Sequence, residues 1–195
     1  MYFFTADLHF GNNEIIGREA RPFRDIKEFE DAFVKNVNEV ATKDDTLYVI
    51  GDWVDYCGEF KSEPKETLEI CRRLAPSVIL IIGNNEQRMI KALYHDDFDE
   101  FKRDAMIFGF ADVLPSAYVE FSNERFYLIH KPADHIDGIT NLFGHTHRST
   151  GLWKPYGLNM CADLNHFRPF SESEILRLLA MKRDWWDNDP DTQDR

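Results

Sequence analysis

Thr46-Leu47-Tyr48-Val49-Ile50-Gly51-Asp52-Trp53-Val54-Asp55 is a short apolar run, rich in β-branched and aromatic residues, that stops at a glycine and turns acidic. Such a run reads as a strand buried on both faces, and the stop marks its carboxyl end. The same pattern occurs four more times. Tyr2–Ala6 runs into Asp7-Leu8-His9, Val78–Ile82 into Gly83-Asn84-Asn85-Glu86, Phe126–Ile129 into His130, and Ile139–Phe143 into Gly144-His145-Thr146-His147. Open α/β sheets place ligands at the carboxyl ends of their strands. Five junctions of this kind point to a fold that gathers carboxylates, imidazoles and an amide at one edge.

Between these strands the apolar period changes from two to nearly four. Asp25 through Val40 carries Ile26, Phe29, Phe33, Val37 and Val40 at helical spacing. Ser62-Glu63-Pro64 opens a second helix with Leu68, Cys71 and Leu74 on one face, and Gln87–Tyr94 and Phe98–Arg103 read as further helices. Strand and helix alternate over residues 2–82, which predicts βαβ units and a mainly parallel sheet. Ala117–Phe121 and Arg125–Ile129, joined through Ser122-Asn123-Glu124, predict a hairpin, so antiparallel strands are expected in a second sheet. Ser171-Glu172-Ser173-Glu174 has the capping-box pattern and opens a helix over Glu172–Arg183. Trp185-Trp186 is expected to pack that helix down or to form a dimer patch, so the oligomeric state is left open. The architecture expected is a two-sheet α/β sandwich with flanking helices, in one domain over residues 1–186, followed by an acidic, frayed tail over 187–195.

Composition narrows the function classes. Hydrophobic residues make up 43% of the 195 and include 16 Phe, which suits a packed globular chain. No apolar stretch approaches the ~20 residues of a membrane span, and Asp7 and His9 interrupt the opening Met1-Tyr2-Phe3-Phe4, which argues against a signal peptide. Cys57, Cys71 and Cys161 are odd in number and widely spaced, which argues against a disulfide framework and for reducing, cytoplasmic surroundings. The net charge of −12 disfavours long nucleic acid as a partner. It does not disfavour a small phosphorylated substrate, because bound divalent cations concentrate positive charge where a phosphate sits.

Carboxylate and imidazole together suit Mn²⁺, Fe or Zn²⁺ better than Mg²⁺ or Ca²⁺. Asp7 and His9 stand two apart, and His145 and His147 repeat that spacing after Gly144. Asp52 is placed to bridge two ions, and Asn84 to lend a neutral amide oxygen. Taken singly, each has a plainer reading: a surface turn for Asp7 and His9, a turn after a strand for Asp52, a left-handed residue for Asn84.

In their order, Asp7-x-His9, Gly51-Asp52, Gly83-Asn84, His130 and Gly144-His145-x-His147, these motifs resemble the calcineurin-like metallophosphoesterase superfamily over residues 2 to about 176. The small bacterial and phage members are the most similar. They share Asp7-Leu8-His9-Phe10-Gly11, Arg21-Pro22-Phe23, and the late stretch Leu158 to Asp163 with Phe167-Arg168-Pro169. The resemblance implies that Asp7, His9, Asp52 and His147 hold one metal, and Asp52, Asn84, His130 and His145 the other. The ions are expected to be Mn²⁺ or Fe, with Zn²⁺ a third candidate. A metal-bridging hydroxide then attacks the phosphorus of a phosphate ester, a phosphodiester being favoured, with Asp52, Asn85 and His130 as the catalytic residues.

At one position the chain departs from the superfamily. Histidine usually follows the Gly-Asn pair and protonates the leaving oxygen; here Asn85 stands there. Asparagine bonds a phosphate oxygen but delivers no proton near neutral pH. Three readings follow: substrates with good leaving groups such as phosphoanhydrides, a proton from His135, His166 or Lys131, or a metal-binding scaffold with weak or no catalysis. The retention of every expected ligand position favours an enzyme. Trp53 and Tyr56 are weighed between a substrate pocket and the core, Asp55 is a candidate orienter of a ligand histidine, and His95 reads as a solvated helix end.

Overall fold

The computed structural model describes residues 1–57, 60–61 and 64–183. Its first sheet grows from β1 (Tyr2–Thr5), which pairs in parallel with β2 (Thr46–Ile50), Phe3 opposite Leu47 and Phe4 opposite Tyr48. Between them run α1 (Glu14–Arg18) and α2 (Ile26–Asn38). The Asp25 side chain caps α2 by accepting the Glu28 N–H at 2.8 Å. After a short ribbon, β3 (Tyr56–Cys57) with β4 (Phe60–Lys61), come α3 (Pro64–Glu69) and β5 (Ser77–Ile81). Ser62 and Glu63, expected to open α3, lie outside the described residues. α4 (Asn84–Leu93) and α5 (Phe98–Ile107) then lead to β6 (Phe110–Leu114), and β2, β5 and β6 are parallel neighbours.

The second half opens on a hairpin of β7 (Ala117–Phe121) and β8 (Glu124–Leu128). Its turn is tighter than expected. Glu124 pairs with Phe121, leaving Ser122 and Asn123 as a two-residue turn with φ of +52° and +62°. Left-handed backbone at both central residues matches the turn to the twist of the strands. β9 (Thr140–Phe143), β10 (Trp153–Lys154) and β11 (Gly157–Asn159) complete this sheet in the order β10-β11-β9-β8-β7. The expectation of antiparallel strands holds for the hairpin and for β10 with β11, whereas β8–β9 and β9–β11 are parallel. Finally β12 (Phe170–Ser171) returns antiparallel to β1, giving the order β12-β1-β2-β5-β6. α6 (Glu172–Met181) follows with the predicted capping box at Ser171 and Glu174. It stops short of Arg183, and Trp185-Trp186 and the acidic tail lie outside the described residues.

Alternation along β1 and β2 divides the core. Phe4, Tyr48 and Ile50 pack with Phe121, Phe126, Leu128 and Leu142 between the two sheets. Phe3, Leu47 and Val49 pack with Phe29, Phe33, Leu68, Met89 and Phe101 under the helices. The result is the expected α/β sandwich, helices outside, with β2 covered on both faces. Among the described residues no helix is long and apolar enough to cross a membrane. Cys71 and Cys161 are buried free thiols and Cys57 is exposed.

The two sheets meet at the carboxyl ends of β1, β2, β5 and β9. Pairing continues there after the strands end: Asp7 N–H donates to Gly51 O at 3.1 Å and His9 N–H to Asp52 O at 2.9 Å. The segment after β11 crosses from one sheet to the other, Met160 N–H bonding Phe143 O at 2.7 Å and Ala162 N–H bonding Ala6 O at 3.0 Å.

Candidate metal centre

Asp7, His9, Asp52, His145 and His147 all adopt left-handed backbone, with φ between +47° and +72°. Asp and His tolerate that region better than most residues, and strained backbone concentrates at functional sites. Each strand here ends in a sharp turn that aims a polar side chain inward. Two glycines make the approach possible. Gly51, at φ +81°, passes so close to the His130 ring that a Cβ would overlap it, and a Cβ on Gly83 would overlap the Asp52 carboxylate.

The side chains that result form two clusters. Asp7, His9 and His147 bring ligand atoms within 4.8 Å of one another, as do Asp52, His130 and His145. Asp52 stands between the clusters. Its Oδ2 lies 3.6 Å from His9 Nε2, and its Oδ1 lies 3.4 Å from His130 Nε2. His9 Nε2 is 3.2 Å from His147 Nε2, and His130 Nε2 is 3.2 Å from Asn84 Oδ1. All seven residues singled out as metal ligands in the sequence are therefore in one place.

Neighbours fix the orientation of these groups. His9 Nδ1–H donates to Asp55 Oδ2 at 3.1 Å and His130 Nδ1–H to Ile50 O at 2.9 Å, so each ring turns Nε2 toward the cluster. Asp7 Oδ1 accepts the His145 backbone N–H at 2.8 Å, while its buried Oδ2 has no hydrogen-bond partner among the described residues. The Glu86 carboxylate accepts three backbone N–H bonds, from Gly83 at 2.7 Å, Asp52 at 3.0 Å and Val54 at 3.1 Å. It thereby locks the turns after β2 and β5 together.

The electrostatics are those of a buried charge cluster. Burial works against a charged His130, but the Asp52 carboxylate outweighs it and raises the ring pKa to about 9. Burial likewise works against an ionised Asp52, yet His130 and His9 hold it well below the usual carboxylate range. Glu86 is pushed up to about 7, first by burial and then by the Asp52 charge. For His147 burial opposes charge, and Asp163, Asp7 and Glu19 together raise it. His145, more open, is lowered by burial and by the charge of His130.

The donor set fits divalent metal ions. Acceptor oxygens and imidazole nitrogens face one another across the clusters, and the buried Asp7 Oδ2 has no hydrogen-bond partner among the described residues.

Asn85 lines the cleft beside Asn84 and also braces Asp52. It is buried, its Nδ2–H donates to Asp52 Oδ2 at 2.7 Å, and its Oδ1 accepts the Tyr56 N–H at 3.0 Å. Both ends of the amide are engaged, and the side chain steadies Asp52. Asp55 takes the orienting place expected for it. Trp53 lies wholly in the core with its Nε1–H on Thr67 O at 2.9 Å and does not line the cleft. His95 and His166 are exposed, and His135 stacks on Tyr156. None of the three lines the cleft.

Two contributors were given no role in the sequence. Arg21, part of the Arg21-Pro22-Phe23 motif, is buried; it donates to Asp7 O at 2.7 Å and Leu8 O at 2.9 Å and forks onto Asp163 at 2.8 and 2.9 Å. It pins the turn that carries Asp7 and His9. The other contributor is a pair of arginines, Arg18 and Arg88, which line the cleft of about 150 Å³ above the clusters. A basic residue on an exposed helix face leaves no periodicity signal, so only the fold shows where it points.

Comparison with known proteins agrees with this architecture. A family model described as calcineurin-like phosphoesterase matches residues 2–194. An uncharacterised protein of Methanocaldococcus jannaschii is 25% identical over 187 residues, 91% of this chain and 90% of the archaeal one. A crystal structure of a protein of unknown function from Aquifex aeolicus superposes with a TM-score of 0.62 at 22% identity, covering 91% of this chain and 98% of that one. That likeness speaks for the fold alone.

Proposed function

The chain belongs to the calcineurin-like phosphoesterase family, and on that premise we propose that it is a dinuclear metal-dependent phosphoesterase. Its substrate is a small phosphate ester, preferably a phosphodiester, and no protein side chain takes the superfamily's usual general-acid place. The observation that carries the reading is Asp52, whose two oxygens face two separate donor clusters. One carboxylate between two cations offsets their repulsion, which is the requirement for holding ions as a pair.

Asp7, His9, Asp52 and His147 would hold one ion, and Asp52, Asn84, His130 and His145 the other. Bound there, two divalent ions supply a nucleophile at neutral pH and polarise a phosphoryl oxygen. The chain does the rest. Asp55 and the Ile50 carbonyl keep a proton on the far nitrogens of His9 and His130, so the Nε2 lone pairs face inward. Asn85 clamps Asp52, and Glu86 holds the two turns that bear them. At position 85 the superfamily's proton donor is replaced by a positioning amide. Leaving groups that depart as stable anions are therefore favoured over alkoxides.

The reading is tested by metal analysis together with hydrolysis of bis-p-nitrophenyl phosphate and p-nitrophenyl phosphate in added Mn²⁺. We expect two ions per chain after reconstitution and faster turnover of the diester. Fewer than one ion per chain and no turnover of either ester would sink the proposal and favour a binding module built on the same fold.

A further inference from the structure

Two guanidinium groups stand at the mouth of the cleft and belong to neither ligand set. Arg18 ends α1, and Arg88 stands one turn into α4, just after Asn85. Both line the cleft beside His9, Asp52, Asn84 and His145. Elsewhere on the surface, cations are matched at helical spacing: Arg24 with Glu28, Lys27 with Asp31, Lys35 with Glu39. Arg88 differs. Among the described residues its one polar contact is a long one, Nη1 donating to Asn85 Oδ1 at 3.5 Å. Arg18 pairs with its neighbour Glu19 at 3.5 Å, its own side chain 47% exposed, and its charge also reaches the Asp55 carboxylate. In a chain of net charge −12, two exposed arginines meet at one opening.

Their chemistry says what they suit. A guanidinium stays charged at every physiological pH, so it cannot deliver a proton, but its fork matches phosphate oxygens. The cleft thus offers positive charge without an acid. An alkoxide needs a proton to leave, whereas a phosphate departs as an anion that a guanidinium stabilises directly. The volume points the same way. About 150 Å³ is small beside the ~300–1,000 Å³ that encloses a drug-sized ligand, so the cleft grips phosphoryl groups and leaves their substituents outside.

We infer that the substrate is a disubstituted phosphoanhydride, cleaved at its P–O–P link, with the departing phosphoryl group held by Arg88 and Arg18. This rests on the phosphoesterase reading and adds the leaving group to it. In the step, a water oxygen forms a bond to the attacked phosphorus and the bond from that phosphorus to the bridging oxygen breaks. The electron pair stays on the bridging oxygen, which becomes a terminal oxygen of the departing phosphate monoester. The attacked phosphorus becomes the second monoester, and the protons of the water pass to solvent or to the product oxygens. Nothing is oxidised or reduced.

The test compares diphenyl pyrophosphate with bis-p-nitrophenyl phosphate on Mn²⁺-reconstituted protein, with metal content measured for every variant. Arg88→Gln and Arg18→Gln are each expected to lower the anhydride-to-diester ratio of kcat/KM by about tenfold or more, the effect of one charged hydrogen bond. Both variants should keep two ions per chain. Imidodiphosphate, which carries an uncleavable P–N–P link, should lose affinity for both variants in a competition assay, and orthophosphate should lose less. Equal losses on both substrates with unchanged imidodiphosphate binding would overturn the inference. So would turnover of the diester with none of the anhydride, an outcome that leaves the phosphoesterase reading intact. If neither substrate is turned over by the unsubstituted protein at two ions per chain, the reading falls and the inference with it.

Discussion

Asp52 concentrates the demands of the site on one residue. It accepts from the Asn85 backbone at 3.0 Å and side chain at 2.7 Å, and faces His9 and His130 with different oxygens. Asp52→Asn replaces one of those oxygens by an NH₂ that repels a cation. We expect both ions to be lost from tight binding, read by metal analysis after gel filtration; two retained ions would show that the bridge is misassigned. Asn85→His exchanges the clamp on Asp52 for a proton. The ratio of rates on alkyl against p-nitrophenyl esters should rise by about 10²-fold, the lower end of what general acid catalysis contributes. Equal acceleration of both esters, or none, would place the proton donor elsewhere. The residue types at these positions were legible because each follows a buried strand. The inward turn of the Asn85 amide was not, because it depends on Tyr56 and Asp52 arriving from other parts of the chain.

At the scale of elements, the site is a set of turns held at fixed separation. Glu86 ties the turn after β2 to that after β5, and Arg21 ties the turn after β1 to the segment leaving β11. Glu86→Gln sets an NH₂ against backbone N–H donors. A loss of about 1–3 kcal/mol is expected for an unsatisfied buried group, or roughly 2–10 °C in melting temperature for a chain of this size. An unchanged melting temperature would mean that the turns are held by their ladder bonds alone. Arg21→Lys keeps the charge but cannot bond Asp163 through two nitrogens while reaching both the Asp7 and Leu8 carbonyls. Weaker retention of the ion held by Asp7 and His9 should follow, seen as a metal content falling from two toward one.

The elements themselves were unevenly readable. β1, β2, β5 and β9 are buried along most of their length, so hydropathy alone finds them. β6 alternates with exposed residues, and β10, β11 and β12 are two or three residues long, set by tertiary pairing more than by local sequence. The longer helices were recognised, with the starts of α5 and α6, whereas the five-residue α1 and the start of α4 were not. α4 begins at Asn84 because Glu86 caps it from within, a function that its place after a strand conceals.

Across the whole molecule, the cost of the site is a buried charge cluster, and pH measures it. In metal-stripped protein, His130 titrates near 9 because the Asp52 carboxylate outweighs burial. Its ordinary value lies near 6.5. A raised folded-state pKa contributes stability that is complete below about 6.5 and is lost as pH rises through about 9. Glu86, raised to about 7 by burial, has the same sign at lower pH: its contribution is complete below about 4.5 and fades as pH rises through 7. His147 is raised too, while His145, lowered by burial, opposes them near its ordinary range. The net expectation for stripped protein is a melting temperature that falls steadily from pH 5 to pH 9. Metal reverses the slope. The ligand histidines must lose their protons to bind, so affinity rises over the same range. Stabilisation follows RT ln(1 + [L]/Kd), so the gain in melting temperature at fixed Mn²⁺ should grow with pH. Melting curves of stripped and Mn²⁺-loaded protein, recorded side by side, should therefore diverge as pH increases. Parallel curves would mean that the ion and the protons do not compete for the same histidines, and the seven residues would then be a charge network rather than a metal centre.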